Sequence, residues 1–103
     1  MEREKLYKTF DEFYPFYLSE HSNRTCRRLH FIGSALVLMI LIYSLVTARW
    51  LALLTLPVVG YGFAWVGHFF FEKNRPATFT YPLYSLIADW VMFKNILIGR
   101  LKF

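Results

Sequence analysis

Two long apolar runs, FIGSALVLMILIYSLVTA at residues 31–48 and WLALLTLPVVGYGFAWVGHFFF at residues 50–71, are separated by Arg49 alone. As helices they would rise about 27 and about 33 Å, and the hydrocarbon core of a bilayer is about 30 Å thick. Two spans joined by so short a turn must run antiparallel, so the start of the first and the end of the second share one membrane face. The sequence therefore predicts a hairpin of transmembrane helices at residues 26–48 and 50–72.

The composition indicates that a bilayer is the natural solvent of this chain. Of its 103 residues, 56% are hydrophobic and 20% are aromatic, whereas only 18% are charged. A soluble domain usually carries about 25% charged residues. The lone cysteine, Cys26, excludes an internal disulfide and a multi-cysteine metal site, and we expect it to be incidental.

The net charge of +5 is distributed unevenly about the predicted hairpin. Six lysines and arginines precede the first run and two follow the second, whereas only Arg49 marks the turn. This asymmetry follows the positive-inside rule and predicts that both outer ends of the hairpin are cytoplasmic. The expected location is the bacterial inner membrane, or the endoplasmic reticulum of a eukaryote. Membrane lipid, not nucleic acid, is the expected partner of the basic residues.

The segments outside the hairpin complete a single all-α membrane domain over residues 1–103. Aromatic residues recur at helical spacing over residues 3–20 and predict an interfacial amphipathic helix, which Pro15 should kink. Residues 73–82 contain two prolines and predict a loop. A third apolar helix is predicted at residues 83–98, interfacial or re-entrant because basic residues follow it.

All three histidines lie near the cytoplasmic ends of the predicted helices. The hairpin sets His30 and His68 at similar depth, and a helix break at residues 22–25 lets His21 converge on them. Glu20, Glu72 and Asp89 should lie at the same end. Three imidazoles, or two with a carboxylate, suit non-haem Fe(II) with coordination positions left open.

Two alternatives to this metal site stay open at the level of sequence. Interfacial histidines can be hydrogen-bonded by water or lipid head groups without any function. The chain could then be a non-catalytic hairpin that shapes or scaffolds a membrane. A bis-histidine haem held by His30 and His68 would instead make it a haem carrier.

A set of short motifs resembles the small membrane family of the fungal 2-hydroxy fatty acid dioxygenase, which acts in the conversion of phytosphingosine to odd-chain fatty acids. The resemblance covers nearly the whole chain. It is carried by Tyr14-Pro15-Phe16-Tyr17, Glu20-His21, Arg28-Leu29-His30, Gly33, Gly60-Tyr61, Ala64-Trp65, Gly67-His68-Phe69, Glu72, Asn74-Arg75-Pro76-Ala77, Phe79, Tyr81-Pro82, Ser85-Leu86, Asp89 and Met92.

This resemblance implies an Fe(II)-dependent dioxygenase that removes one carbon from a long-chain 2-hydroxy fatty acid by α-oxidation with O2. We expect it to be independent of 2-oxoglutarate, because three protein ligands, a bidentate substrate and O2 already fill six coordination positions. The substrate could chelate iron through its carboxylate and hydroxyl. The expected catalytic residues and metal ligands are His21, His30 and His68, with Glu72 and Asp89 as a fourth ligand or as partners of the ligands. The sequence leaves open whether the protein forms a homo-oligomer.

Further residues are expected to orient the substrate or the ligands. Asn74, Tyr81 and Glu20 are predicted to support the metal ligands through hydrogen bonds. The arginines near the cytoplasmic face either steer the substrate carboxylate or anchor lipid phosphate, and the sequence leaves both open. They are Arg24, Arg27, Arg28 and Arg75.

Overall fold

A computed structural model describes residues 7–103, whose regular secondary structure is entirely helical, with no strand. This confirms the predicted all-α class. The four α-helices are α1 (Phe10–Ser19), α2 (Arg24–Thr47), α3 (Thr55–Val66) and α4 (Pro82–Leu97).

Helix α1 is shorter than the predicted interfacial helix at residues 3–20. It begins at Phe10 because Thr9 caps it, accepting a hydrogen bond from the backbone N–H of Glu12 at 3.2 Å. Residues 3–6 of the predicted helix lie outside the described residues. Pro15 lies inside α1. The buried face of α1, formed by Phe13 and Tyr17, joins one core cluster with the face of α4 that carries Ala88, Met92 and Ile96.

Helix α2 begins after the predicted break. Asn23 is its N-cap and accepts a hydrogen bond from Cys26 N–H at 3.0 Å. The helix ends where Ala48 adopts the left-handed conformation with φ 56°. Compared with the predicted range of 26–48, α2 begins two residues earlier and ends one residue earlier, at 24 residues in all.

The second predicted span, residues 50–72, is helical without interruption and consists of three successive kinds of helix. A 3₁₀ segment (Trp50–Leu54) leads into α3, and a π-helical turn (Gly67–Glu72) follows it. Pro57 lies in the first turn of α3, where its missing N–H costs little. The π turn widens the helix beside His68, a feature common near functional sites.

Close contacts show that α2 and α3 run in opposite directions. A Cβ atom on Gly67 would meet Cys26, and one on Gly60 would meet Val37. Small residues thus allow close approach of the two helices. Both helical segments, Arg24–Thr47 and Trp50–Glu72, are long and apolar enough to cross a membrane. Their outer faces are apolar and exposed, as for Val46 at 78% and Leu51 at 81% exposure.

Helix α4 covers the end of this pair where the histidines lie. A 3₁₀ turn (Ala77–Phe79) interrupts the predicted loop at residues 73–82, and Pro82 starts α4 at the position where a proline is best tolerated. The buried residues of α4 include Ser85, Ala88 and Met92, so this one face of the helix lies against the rest of the protein.

Candidate metal centre

Three different elements deliver the three histidines to one buried point. His21 follows α1, His30 lies in α2, and His68 lies in the π turn. Their ring centroids are 4.3 Å (His21–His30), 4.4 Å (His21–His68) and 4.9 Å (His30–His68) apart. Each residue is at most 6% exposed. The helix break therefore lets His21 reach the two histidines of the antiparallel pair.

Each histidine is oriented by a hydrogen bond from its Nδ1 atom. The partner of His21 is the carbonyl oxygen of Tyr17 at 2.7 Å, and that of His30 is the carbonyl oxygen of Cys26 at 3.0 Å. Carbonyl oxygens can only accept, so both Nδ1 atoms carry the proton. In the neutral ring the Nε2 atom then has a free lone pair.

The third ring is oriented by an amide side chain. Asn74 donates from Nδ2 to the carbonyl oxygen of Glu20 at 3.2 Å, so its Oδ1 is the atom that faces His68 Nδ1 at 2.7 Å. The left-handed Lys73 (φ 64°) ends the π turn, and the Asn74 N–H bonds the His68 carbonyl at 3.0 Å. This reversal of the chain carries Asn74 back to the ring that it orients.

The Nε2 atoms of His21 and His30 lie 3.1 Å apart. With both Nδ1 atoms protonated, neutral rings place two lone pairs face to face, which is repulsive unless a cation lies between them. Burial lowers the pKa of His21 well below its ordinary value, and the neighbouring histidines lower it further, which disfavours a proton as that cation. Two nitrogens bound at right angles to one ion at about 2.1 Å stand about 3.0 Å apart. The spacing therefore suits a shared metal ion.

Cys26 is a member of the cluster that the sequence did not single out as a ligand. Its sulfur and one nitrogen from each of the three imidazoles all lie within 4.8 Å of one another, so the four side chains could bind a metal ion. The sulfur is 3.8 Å from His30 Nδ1, the nitrogen that is already bonded to a carbonyl. Because each Nδ1 atom has a hydrogen-bond partner, Nε2 is the nitrogen that each of the three rings has available for an ion. No sequence signal distinguishes a buried thiol of this kind from an incidental one.

The predicted carboxylate ligands have other partners in this structure. Glu72 accepts hydrogen bonds from Ser22 Oγ at 2.9 Å and from Asn23 N–H at 2.7 Å, and so joins the end of the π turn to the start of α2. Asp89 accepts a hydrogen bond from the Tyr17 hydroxyl. Burial raises the pKa of Asp89 to about 6 despite this bond, and burial beside Asp89 raises the pKa of Tyr17.

The other residues that were predicted to orient the substrate or the ligands lie in different parts of the structure. The backbone carbonyl of Glu20 accepts the hydrogen bond from Asn74 Nδ2 and so helps to fix the side chain that orients His68. Tyr81 is buried in the core, and its hydroxyl accepts a hydrogen bond from Tyr7 N–H at 3.0 Å. Arg24, Arg28 and Arg75 are exposed, and the Arg75 guanidinium lies over the Phe79 ring. None of these arginines lines the two cavities described next.

Two adjoining cavities lie beside the histidines. The smaller, about 10 Å³, is lined by all three histidines together with Tyr17, Ser85 and Asp89. The larger, about 210 Å³, lies among α2, α3 and α4 and is mainly apolar. The residues shared by both cavities are His30, Tyr61, Ala64 and Asp89. An apolar chain in the larger cavity could therefore present a polar head to the histidines.

Replacing Asn74 with Ala should weaken metal binding by about 10- to 100-fold, because His68 would lose the acceptor that fixes its tautomer and ring orientation. A competition titration against a chromogenic chelator measures this change. Asn95→Ala is the matched control, since Asn95 donates a similar side-chain hydrogen bond to Tyr14 away from the histidines. Equal affinity in the Asn74 and Asn95 variants would contradict the proposed orienting role.

The fold and site together define a small helical protein with a buried three-histidine cluster that could bind a metal ion beside an apolar cavity. A family model described as Mpo1-like, 2-hydroxy-palmitic acid dioxygenase, matches residues 7–101. The chain belongs to this Mpo1-like family, which confirms the resemblance drawn from its motifs. No curated protein and no solved structure matches it.

Proposed function

We propose that the chain is an Fe(II)-dependent dioxygenase that shortens a long-chain 2-hydroxy fatty acid by one carbon. The observation that carries this proposal is the convergence of three oriented imidazoles beside an apolar cavity that His30 also lines. The family takes its description from a 2-hydroxy-palmitic acid dioxygenase, which supports the same class of substrate. A membrane scaffold would need neither a buried cluster of nitrogen lone pairs nor the adjoining cavity.

The donor set fits Fe(II). His21, His30 and His68 would hold the ion, since neutral imidazoles suit iron and three protein ligands leave positions open for substrate and O2. When bound, Fe(II) supplies the redox chemistry that lets O2 react with the chelated substrate. The close packing of the three rings, with His30 and His68 centroids 4.9 Å apart, favours a single ion over the haem alternative, because a porphyrin would have to lie between them.

The overall reaction explains why 2-oxoglutarate is not required. A 2-hydroxy acid and O2 give the acid one carbon shorter, CO2 and water. Conversion of the 2-hydroxy acid to these carbon products releases four electrons, which is the number that reduces one O2 to the level of water. The substrate itself therefore supplies every electron, and a co-substrate has no role in the balance.

The chain's own residues bind and orient the substrate. The larger cavity, lined by Val37, Leu56 and Leu86 among others, would take the acyl chain next to the iron ligands. The apolar, exposed faces of α2 and α3 would lie in lipid, so the substrate could enter sideways from the bilayer. We place the histidine end of the helix pair at the cytoplasmic face, because lysines and arginines are concentrated there.

Protein reconstituted anaerobically with Fe(II) in detergent should convert 2-hydroxypalmitic acid to the acid with 15 carbons once O2 is admitted. Palmitic acid, which lacks the second oxygen of the chelate, should be returned unchanged. Mass spectrometry of the products, with and without 2-oxoglutarate, gives the result. Unchanged 2-hydroxypalmitic acid from iron-replete protein would refute the activity, and a strict need for 2-oxoglutarate would refute the electron balance.

A further inference from the structure

A buried hydroxyl group faces the histidine cluster and has no hydrogen-bond partner. Ser85 lies on α4 and is 2% exposed. Its Oγ atom finds no donor or acceptor within the part of the chain that the structure describes. A buried polar atom without a partner costs free energy, so native proteins rarely keep one unless something else pairs with it.

The surroundings of Ser85 indicate what the missing partner is. Ser85 lines the small cavity together with the three histidines and Asp89. Ser85 and Asp89 are one helical turn apart and share one face of α4. The Asp89 carboxylate accepts a hydrogen bond from the Tyr17 hydroxyl through one oxygen, and the same carboxylate lines the small cavity. The α4 wall of the site therefore offers a hydroxyl donor beside a carboxylate acceptor.

This pair of groups selects a neutral hydroxyl over an anion. A substrate carboxylate next to Asp89 would be repelled, and no lysine or arginine among the described residues lines the small cavity to offset that repulsion. An alcohol fits both groups, because its oxygen can accept from Ser85 while its proton points to Asp89. The substrate carboxylate, the other arm of the chelate, would then take the neighbouring metal position that is farther from Asp89.

We propose that Ser85 recognises the 2-hydroxyl group of the substrate by donating a hydrogen bond to its oxygen. This inference rests on the proposed function, since it assigns the substrate's distinguishing group to one residue of α4. It also explains selectivity: an ordinary fatty acid in the same site would leave the Ser85 hydroxyl buried and unpaired. Sites built to bond a substrate hydroxyl discriminate strongly against analogues that lack it.

The test measures binding without turnover. Iron-loaded protein is kept anaerobic in detergent, and the affinities for radiolabelled 2-hydroxypalmitic and palmitic acids are determined at equilibrium. Ser85→Ala should weaken binding of the hydroxylated acid by about tenfold and leave binding of palmitic acid unchanged. Thermal unfolding of the metal-free variant should occur at the same or a higher temperature than in the parent, because the substitution removes an unpaired polar atom.

Ser44→Ala is the matched control. Ser44 is also fully buried, but its hydroxyl donates to the Ile40 carbonyl at 2.8 Å, away from the cavities. This variant should keep the preference for the hydroxylated acid. If Ser85→Ala keeps that preference while the parent shows it, Ser85 does not recognise the hydroxyl and the proposed function still stands. If the iron-loaded parent itself shows no preference, the inference and the proposed substrate fail together.

Discussion

His68→Ala should reduce the iron bound after anaerobic reconstitution to background, whereas the parent should bind one equivalent per chain. The substitution leaves two imidazoles, with the His21 and His30 Nε2 atoms still 3.1 Å apart, and opens one side of the site to solvent. With one of the three proposed ligands gone, two imidazoles would remain, too few to hold Fe(II) in competition with water. Iron is measured by elemental analysis of the purified protein, and the same loss is expected for His21→Ala and His30→Ala.

Cys26→Ala is the control for this experiment. The thiol belongs to the same cluster, but its sulfur lies on the Nδ1 side of the His30 ring. If the three imidazoles are the ligands, the Cys26 variant should keep its iron. Full iron occupancy in His68→Ala would remove that residue from the ligand set. Loss of iron in Cys26→Ala, in protein with unchanged circular dichroism, would add the thiol to it.

The helix pair and the meeting of the histidines were both predictable from the sequence. The apolar runs fix where α2 and α3 lie, and their antiparallel packing follows from a connection too short for anything else. That packing alone brings His30 to His68, whose ring centroids are 4.9 Å apart. The predicted break at residues 22–25, where Asn23 is the N-cap of α2, turns His21 toward them. The ligand roles of the three residues stay predictions.

Other parts of the site depend on contacts that no local pattern carries. The π turn is set by the return of Asn74 to His68, and periodicity could not distinguish it from an α-helical end. The pairing of Tyr17 with Asp89 joins positions 72 residues apart. Cys26 enters the cluster because Gly67 lets the two helices approach closely there. Such features follow from tertiary packing, which a single sequence does not display.

Iron binding should also be sensitive to substitution of Gly67, where the second helical segment packs closely against α2. A Cβ atom at Gly67 would lie 3.0 Å from Cys26 Sγ, 3.1 Å from Cys26 Cα and 3.3 Å from the Cys26 carbonyl oxygen. Two of these three atoms are backbone and cannot rotate away. Gly67→Ala therefore requires the backbone at Cys26 or Gly67 to shift by a few tenths of an ångström. Overpacking of this kind costs about 1–3 kcal/mol.

The contact between the added methyl group and Cys26 lies next to the histidine cluster. The Cys26 carbonyl oxygen is the acceptor that orients His30, and Gly67 directly precedes His68. A shift of either helix moves two of the three imidazoles relative to each other, so Gly67→Ala should lower iron affinity on the order of 10- to 100-fold, as loss of a ligand-orienting contact does. Thermal unfolding and a chelator competition measure the two effects separately.

Gly62→Ala separates the collision from a general effect of alanine in α3. A Cβ atom at Gly62 would meet nothing within 4 Å, so this variant gains the helix propensity of alanine, worth about 0.5–1 kcal/mol, without any clash. It should unfold at the same or a higher temperature and bind iron like the parent. The double variant Cys26→Ala with Gly67→Ala should remain impaired, because the backbone atoms of residue 26 still block the added methyl. Recovery in the double variant would trace the collision to the sulfur alone, and normal iron affinity in Gly67→Ala would show that the helix crossing does not set the histidine geometry.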